Sequence, residues 1–160
     1  MSLKNQWLLN IVMVFLSWIS LPFLGSRNIK QFISASILIV IIEIINVRVG
    51  KKKKWWFFYN KPNSMITGEL PFNIGPFWVG SMWILKWTYG NFKRFILLNA
   101  IVDSAFVITL SVFFKKLKIF TLVRMNKFQF FLYFFLKAFL LYGFQFLFEN
   151  KKEIISSIKR

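Results

Sequence analysis

The sequence contains no cysteine and no histidine among its 160 residues. Without cysteine, disulfides, thiol nucleophiles and iron–sulfur clusters are excluded, and so are zinc sites built from Cys or His. The lack of histidine also removes the commonest general base near neutral pH. Any chemistry would therefore have to use Asp, Glu, Lys, Tyr, Ser or Thr.

Acidic residues are scarce as well: five Asp and Glu stand against 22 Lys and Arg, which gives a formal net charge of +17. Yet 57% of the residues are hydrophobic, and 22 of them are Phe. A soluble domain of this length could not bury so much apolar side chain. A chain that is both apolar and basic is typical of a membrane protein, in which the spans supply the apolar residues and the loops supply the basic ones.

Five apolar runs predict five transmembrane helices, because a helix needs ~20 apolar residues to cross a bilayer. The runs cover residues 7–24, 31–49, 71–89, 95–114 and 128–148. Several are apolar on every side, as expected of helices surrounded by lipid. The sequence therefore predicts an all-α integral membrane protein, a single membrane domain over residues 1–160 that forms a bundle of about five transmembrane helices.

The third run, 71–89, is the weakest candidate because Pro71, Gly75 and Pro76 interrupt its beginning. The short regular helix that remains also suits a re-entrant or interfacial segment. Four spans with a re-entrant third segment are therefore the alternative architecture. Short helices broken by glycine and walled by aromatic residues build binding sites in some transporters, but we favour a loosely inserted hairpin.

The first run follows Lys4 and has some features of a signal peptide. The sequence Phe23-Leu24-Gly25 lacks the small-x-small cleavage pattern, so we favour a first transmembrane helix. In both architectures the larger share of Lys and Arg falls on the side of the N-terminus and of Lys51–Lys54. The positive-inside rule therefore predicts a multi-pass protein of the cell membrane with a cytoplasmic N-terminus. The C-terminus is external with five spans and cytoplasmic with four.

A basic-aromatic loop, residues 50–70, contains the stretch "KKKKWWFFY". Tryptophan and tyrosine prefer the headgroup level of a bilayer, and each lysine near the surface gains about 1 kcal/mol from anionic lipid. We expect this stretch to lie flat along the inner leaflet as a lipid-interface anchor, with anionic headgroups as partners. The anchor residues are Lys51, Lys52, Lys53, Lys54, Trp55, Trp56 and Tyr59.

Loops that combine basic and aromatic residues also bind other kinds of partner. A site for one particular anionic lipid or acidic partner is the first alternative. Nucleic acid is not expected as a partner, although basic and aromatic residues together do bind single strands. The basic patches of this sequence alternate with the apolar runs, so they cannot form one continuous groove.

Ionisable residues within spans are costly, so each is a candidate for function. Asp103 and Lys137 fall near the centres of the fourth and fifth runs, and Asn99 shares a helix face with Asp103. Glu43 lies towards the cytoplasmic end of the second run, where Arg48 or water can compensate its charge. We predict that Asp103 and Lys137 neutralise each other across two helices. The alternatives are a proton, ion or substrate path, and pairing with another protein's span.

Catalytic signatures are missing from the sequence: it has no nucleophile elbow, no glycine-rich phosphate loop and no paired carboxylates at a useful spacing. We therefore expect no enzyme, no cofactor and no metal site. The favoured function is a structural or accessory membrane protein that acts through lipid or partner-protein contacts, including contacts with a second copy. The alternative is a transporter or channel component that uses Asp103 and Lys137.

The stretch "WILKWTYGNFKRFILLNAIVDSAF", residues 83–106, resembles a segment of small, uncharacterised multi-span membrane proteins of Gram-positive bacteria. The similar features are the "TYG" turn at 88–90, the spacing of Asn99 and Asp103, and the basic "KKLKIF" that follows. The resemblance covers roughly residues 83–120. It implies several membrane helices and no established activity.

Overall fold

A computed structural model describes residues 3–59 and 68–158 as a bundle of five helical segments. The segments are α1 (Leu3–Ile19) with the short α2 (Leu21–Leu24); α3 (Ser26–Lys52); α4 (Leu70–Phe72), a π-helical turn (Asn73–Phe77) and α5 (Trp78–Thr88); α6 (Phe92–Ala105), a second π-helical turn (Phe106–Leu110) and α7 (Ser111–Lys116); and α8 (Lys127–Ile158). The prediction of an all-α helical bundle is confirmed.

Four of the segments contain helices that are long and apolar enough to cross a membrane. They are Asn5–Leu24, Ser26–Lys52, Phe92–Lys116 and Lys127–Lys151. They correspond to the first, second, fourth and fifth apolar runs, and they support a membrane protein. α3, which corresponds to the second apolar run, extends past the predicted end at Val49 and has Lys51 and Lys52 in its last turn. Cations there favour the helix because they complement the negative end of its dipole.

The third segment, residues 70–88, runs from one end of the bundle to the other. Just before it, Glu69 accepts a hydrogen bond from Trp56, whose ring packs on Phe130 near the start of α8. Just after it, Tyr89 packs on Tyr142, which lies about 18 Å further along α8. The segment therefore crosses the bundle from one end to the other and does not form a re-entrant hairpin. The chain passes five times between the two ends of the bundle, so α1 begins and α8 finishes at opposite ends.

A break in the third segment fits it against α1. Gly75 has non-helical backbone angles (φ −96°, ψ −107°), and Pro76 lacks the N–H that a regular helix would use. A Cβ atom at Gly75 would lie 3.1 Å from Val14 Cα, so glycine allows α1 to approach more closely here than a larger residue would. The Trp18 indole donates to the carbonyl of Ile74 at 2.8 Å, which satisfies a backbone acceptor at the break.

Two short strands close one end of the bundle, which we call the sheet end. β1 (Trp56–Phe58) follows α3, β2 (Phe120–Leu122) follows α7, and the two pair antiparallel with Phe57 opposite Thr121. Lys54 and Lys118 adopt left-handed backbone conformations (φ 55° and 53°) where the chain turns into each strand. One core cluster surrounds the strands and includes Val47, Phe114, Phe120 and Phe130. A second core cluster lies at the opposite end of the bundle and includes Leu24, Phe32, Leu85, Phe95 and Leu141.

The prediction that "KKKKWWFFY" lies flat on the leaflet is wrong for Trp56 and Phe58, whose rings pack inside the protein. Trp56 is only 7% exposed, and it packs so closely on α3 that a Cβ atom at Gly50 would lie 2.6 Å from its ring. Phe58 stacks on Phe120 at 5.4 Å between ring centroids. Pairing with β2 satisfies the backbone of this stretch inside the protein, so two of its rings join the core instead of the headgroups.

The other anchor residues differ in their environment. Lys51 is half-buried, and its Nζ lies 2.9 Å from Glu69 Oε2, so this lysine serves an internal ion pair. Lys52, Lys53 and Lys54 are exposed, Trp55 is half-buried and Tyr59 is 43% exposed. Their role as lipid anchors stays a prediction. The part of the loop at residues 60–67 lies outside the described residues.

Candidate functional site

A cavity of about 650 Å³ lies inside the bundle, between α3, the third segment, α6 and α8. This volume is within the range of small-molecule sites. Aromatic side chains form its wall towards the sheet end: Trp56, Phe58, Phe72, Phe120 and Phe130. The cavity also collects most of the buried polar side chains of the membrane region. Those less than a tenth exposed are Glu43, Glu69, Asn73, Ser81, Asn99 and Lys137.

The central feature of the cavity is an ion pair between Glu43 of α3 and Lys137 of α8. Both side chains are 5% exposed. Tyr133, one turn before Lys137, donates its hydroxyl to the Glu43 carboxylate at 3.0 and 3.1 Å. The Lys137 ammonium also lies 3.2 Å from the centroid of the Tyr133 ring and 4.7 Å from that of Phe134. Such cation–π contacts add to the stabilisation of a desolvated ammonium.

The predicted pairing of Lys137 with Asp103 is therefore wrong: Lys137 uses Glu43 as its ion-pair partner. Helix length explains the difference. Because α3 continues to Lys52, about 14 Å of helix separates Glu43 from that end. Glu43 thus lies at the depth of Lys137 and not near the surface, where Arg48 was expected to compensate it.

Asp103 lines the same cavity without an ion-pair partner among the described residues. Its Oδ2 is buried and accepts no hydrogen bond from them, although its charge and that of Lys137 interact. Asn99 lines the cavity one turn earlier, on the face that the sequence predicted. Its amide donates to the carbonyl of Phe95 at 2.8 Å, so it is satisfied within its own helix. Asp103 therefore offers an open acceptor to the cavity.

Glu69 is a cavity residue that the sequence analysis missed. It is 5% exposed, accepts a hydrogen bond from Trp56 Nε1 at 3.0 Å, and pairs with Lys51. The only feature of the sequence that set Glu69 apart was its position as the single acidic residue of a basic loop, close before the third apolar run. Its burial depends on the β1–β2 pairing, which brings Trp56 over the cavity and which no apolar periodicity indicated.

The cavity reaches the outside of the bundle at mid-depth. Among its described lining residues, the exposed ones are Pro76, Ile101, Val102 and Ala105. The first belongs to the π-helical turn of the third segment and the other three to α6, and we infer that the mouth lies between these two elements. Ile101 to Ala105 lie about 14–20 Å along α6 from Phe92. If the bundle spans a hydrocarbon core of ~30 Å, a mouth at this height would face lipid tails.

No family model, no curated protein and no solved structure matches the chain. The resemblance to small multi-span proteins of Gram-positive bacteria therefore stays a prediction. Within residues 3–59 and 68–158, no group of three or more Asp or Glu side chains is placed to hold a metal ion. Function has to be argued from the cavity itself.

Proposed function

We propose that this protein is an integral membrane protein that binds one lipid-like molecule in the cavity between α3, the third segment, α6 and α8. The observation that carries the proposal is the mouth: its exposed residues are apolar and lie at mid-depth. A solute from water would have to enter hydrocarbon to reach it. A molecule already dissolved in the bilayer reaches it directly.

The lining of the cavity matches a ligand with an apolar body and one polar group. Aromatic and aliphatic side chains dominate the wall, while Glu43, Lys137 and Asp103 lie together in the interior. Ligand sites commonly combine such a wall with a few polar groups that fix orientation. Ionisable side chains are also expensive inside a membrane, which makes a purely structural cluster of this kind costly.

Binding one membrane amphipath agrees with the accessory role that the sequence favours, because such a protein acts through contact with lipid. Transport is the second candidate, and the interior charges of Glu43, Asp103 and Lys137 favour it. Against it, none of the described lining residues at the sheet end or towards the opposite end is exposed. Among the described residues, therefore, no exposed lining residue marks a path to water at either end.

We also propose a location in the cell membrane with the sheet end in the cytoplasm. The support is the position of the basic residues. Lys52–Lys54 and Lys115–Lys118 lie where α3 and α7 end, and Arg124 and Lys127 lie where α8 begins. By the positive-inside rule this end is the cytoplasmic one.

Two glycines provide a matched test of the cavity. Gly80 lines it, Gly143 of α8 does not, and at both positions an added Cβ would have nothing within 4 Å. We expect the chain purified in a nonionic detergent to retain one amphipathic molecule, identified by solvent extraction and mass spectrometry. Gly80→Leu should retain less of this molecule because the leucine side chain takes up part of the cavity, and Gly143→Leu should retain as much as the wild type.

Equal retention by Gly80→Leu and the wild type would contradict the proposal, as would a wild-type chain that retains no molecule and takes up none from added lipid extract. Reconstitution into vesicles separates the second candidate. Solute or proton flux that disappears in Asp103→Asn, from a chain that holds no amphipath, would favour transport.

A further inference from the structure

We propose that the molecule bound in the cavity is an amphipathic amine, whose protonated nitrogen pairs with the carboxylate of Asp103. This inference rests on the proposed function and names the chemical class of its ligand. It is based on a comparison between the carboxylates that line the cavity and the cations that the protein supplies to them.

Three carboxylates line the cavity, and the protein supplies a cation to two of them. Glu43 pairs with Lys137, and Glu69 pairs with Lys51. Asp103 has no ion-pair partner among the residues that the structure describes, and its buried Oδ2 has no hydrogen-bond donor. The cavity therefore lacks one cationic donor, at Asp103.

Lys137 does not meet this need, because its ammonium is already held elsewhere. Glu43 takes it as an ion pair, and the Tyr133 ring covers one face of it at 3.2 Å. Asp103 is partly buried, and leaving its buried Oδ2 without a donor is unfavourable in a medium of low polarity. A ligand ammonium would supply both the missing charge and the missing donor in one short, charge-assisted hydrogen bond.

Other headgroups fit this site less well. An anionic group would be repelled by the carboxylate of Asp103, because Lys137 and Lys51 are already paired with Glu43 and Glu69 and leave this one negative charge uncompensated. A neutral hydroxyl would give Asp103 a donor but would leave its charge uncompensated. The net charge of the whole chain, +17, attracts anions to its surface. A preference for a cation would therefore have to arise inside the cavity.

Three ligands with the same twelve-carbon alkyl chain and different headgroups isolate the contribution of the headgroup. Dodecylammonium, dodecanol and dodecanoate would be titrated into the full chain in a nonionic detergent, and bound ligand counted by native mass spectrometry. We expect dodecylammonium to bind about tenfold more tightly than dodecanol, as one charge-assisted hydrogen bond provides. Dodecanoate should bind most weakly.

Asp103→Asn should reduce the preference for the amine over the alcohol to less than about threefold, because the amide carries no charge to pair with the ammonium. Glu149→Gln is the matched control, since it removes a carboxylate that does not line the cavity. This variant should keep the full preference for the amine.

The outcomes separate the inference from the proposed function. If none of the three compounds binds, the proposed function fails. If they bind and the wild type does not prefer the amine, or if Asp103→Asn keeps the preference, the amine class is overturned while the site stands. Should Asp103→Asn not fold, the order of the three ligands in the wild type still decides, and Gly80→Leu should weaken binding of the amine and of the alcohol to the same extent.

Discussion

Glu43 of α3 and Lys137 of α8 form a buried ion pair, although Asp103 of α6 is near enough for its charge to act on the same ammonium. The pair joins two helices at mid-depth, and both of its side chains are buried. It holds the lysine at the wall of the cavity and leaves the carboxylate of Asp103 open. The arrangement of these three residues therefore determines both the stability of the bundle and the character of the site.

Removing one member of this pair should destabilise the protein more than removing both. Glu43→Gln or Lys137→Met alone leaves a buried group without its partner, and breaking a buried pair in this way costs about 3–5 kcal/mol. The double variant removes both charges and should cost less than either single change. The measurement is a double-mutant cycle of thermal unfolding in a nonionic detergent.

The control is a second cycle in which Asp103, the other acidic residue near Lys137, is changed instead of Glu43. The cycle of Asp103→Asn with Lys137→Met should show a smaller coupling free energy, because these residues share no direct ion pair. A larger coupling for Asp103 than for Glu43 would contradict the pairing described here.

Gly50→Ala should destabilise the sheet end. A methyl group at Gly50 would lie 2.6 Å from the Trp56 ring, and the ring is held in place by its hydrogen bond to Glu69. Overpacking of this kind costs about 1–3 kcal/mol, more than the ~1 kcal/mol that alanine gains over glycine in a helix. The unfolding midpoint of Gly50→Ala should therefore fall.

Gly80→Ala is the matched control, because its methyl group meets nothing within 4 Å. Its midpoint should stay constant or rise slightly, through helix propensity alone. A midpoint of Gly50→Ala equal to that of Gly80→Ala would mean that Trp56 does not pack on α3.

The sequence predicted the helices well because their signal is local. Runs of about 20 apolar residues specify a membrane helix whatever surrounds them, and four of the five runs became long helices. The depth of Lys137 and Asp103 followed from their positions in those runs. The ion-pair partner of Lys137 could not be predicted in the same way, because it depends on how each helix is rotated about its axis and on where α3 ends.

The sheet end shows the opposite situation. Trp56 and Phe58 belong to a run in which every residue is aromatic, so the period of two that marks a strand is hidden. The partner strand, Phe120–Leu122, is only three residues long and lies far away in the sequence. Composition alone therefore favoured an interfacial anchor, and the burial of Glu69, which depends on this pairing, could not be seen.

The five traverses predict which loops share a side of the membrane. Because the sequence has no cysteine, single cysteines can be placed at exposed lysines and arginines and labelled with an impermeant maleimide in sealed vesicles. Lys53→Cys and Arg124→Cys should label from one side, and Lys93→Cys and Lys151→Cys from the other. Labelling of positions 53 and 151 from the same side would support four spans and contradict the observed path of residues 70–88.

The pairing of β1 with β2 can be fixed covalently without disturbing the core. Phe57 and Thr121 are directly opposite each other, in the hydrogen-bonded type of pair whose Cα atoms lie about 5.5 Å apart, within the range for a disulfide. We expect Phe57→Cys/Thr121→Cys to form an intramolecular disulfide on mild oxidation, detected by mass spectrometry. Phe57→Cys/Val123→Cys, a diagonal pair about 7–8 Å apart, should cross-link far less.

The cross-linked chain also tests the route into the cavity. If a ligand enters through the mid-depth mouth beside Val102, locking β1 to β2 should leave the exchange rate of a bound amphipath unchanged, because the sheet end does not have to open. Val102→Trp, which narrows the mouth, should slow the same exchange. The reverse result, exchange blocked by the disulfide and unaffected by Val102→Trp, would place the entrance at the sheet end and remove the reason for a ligand drawn from the bilayer.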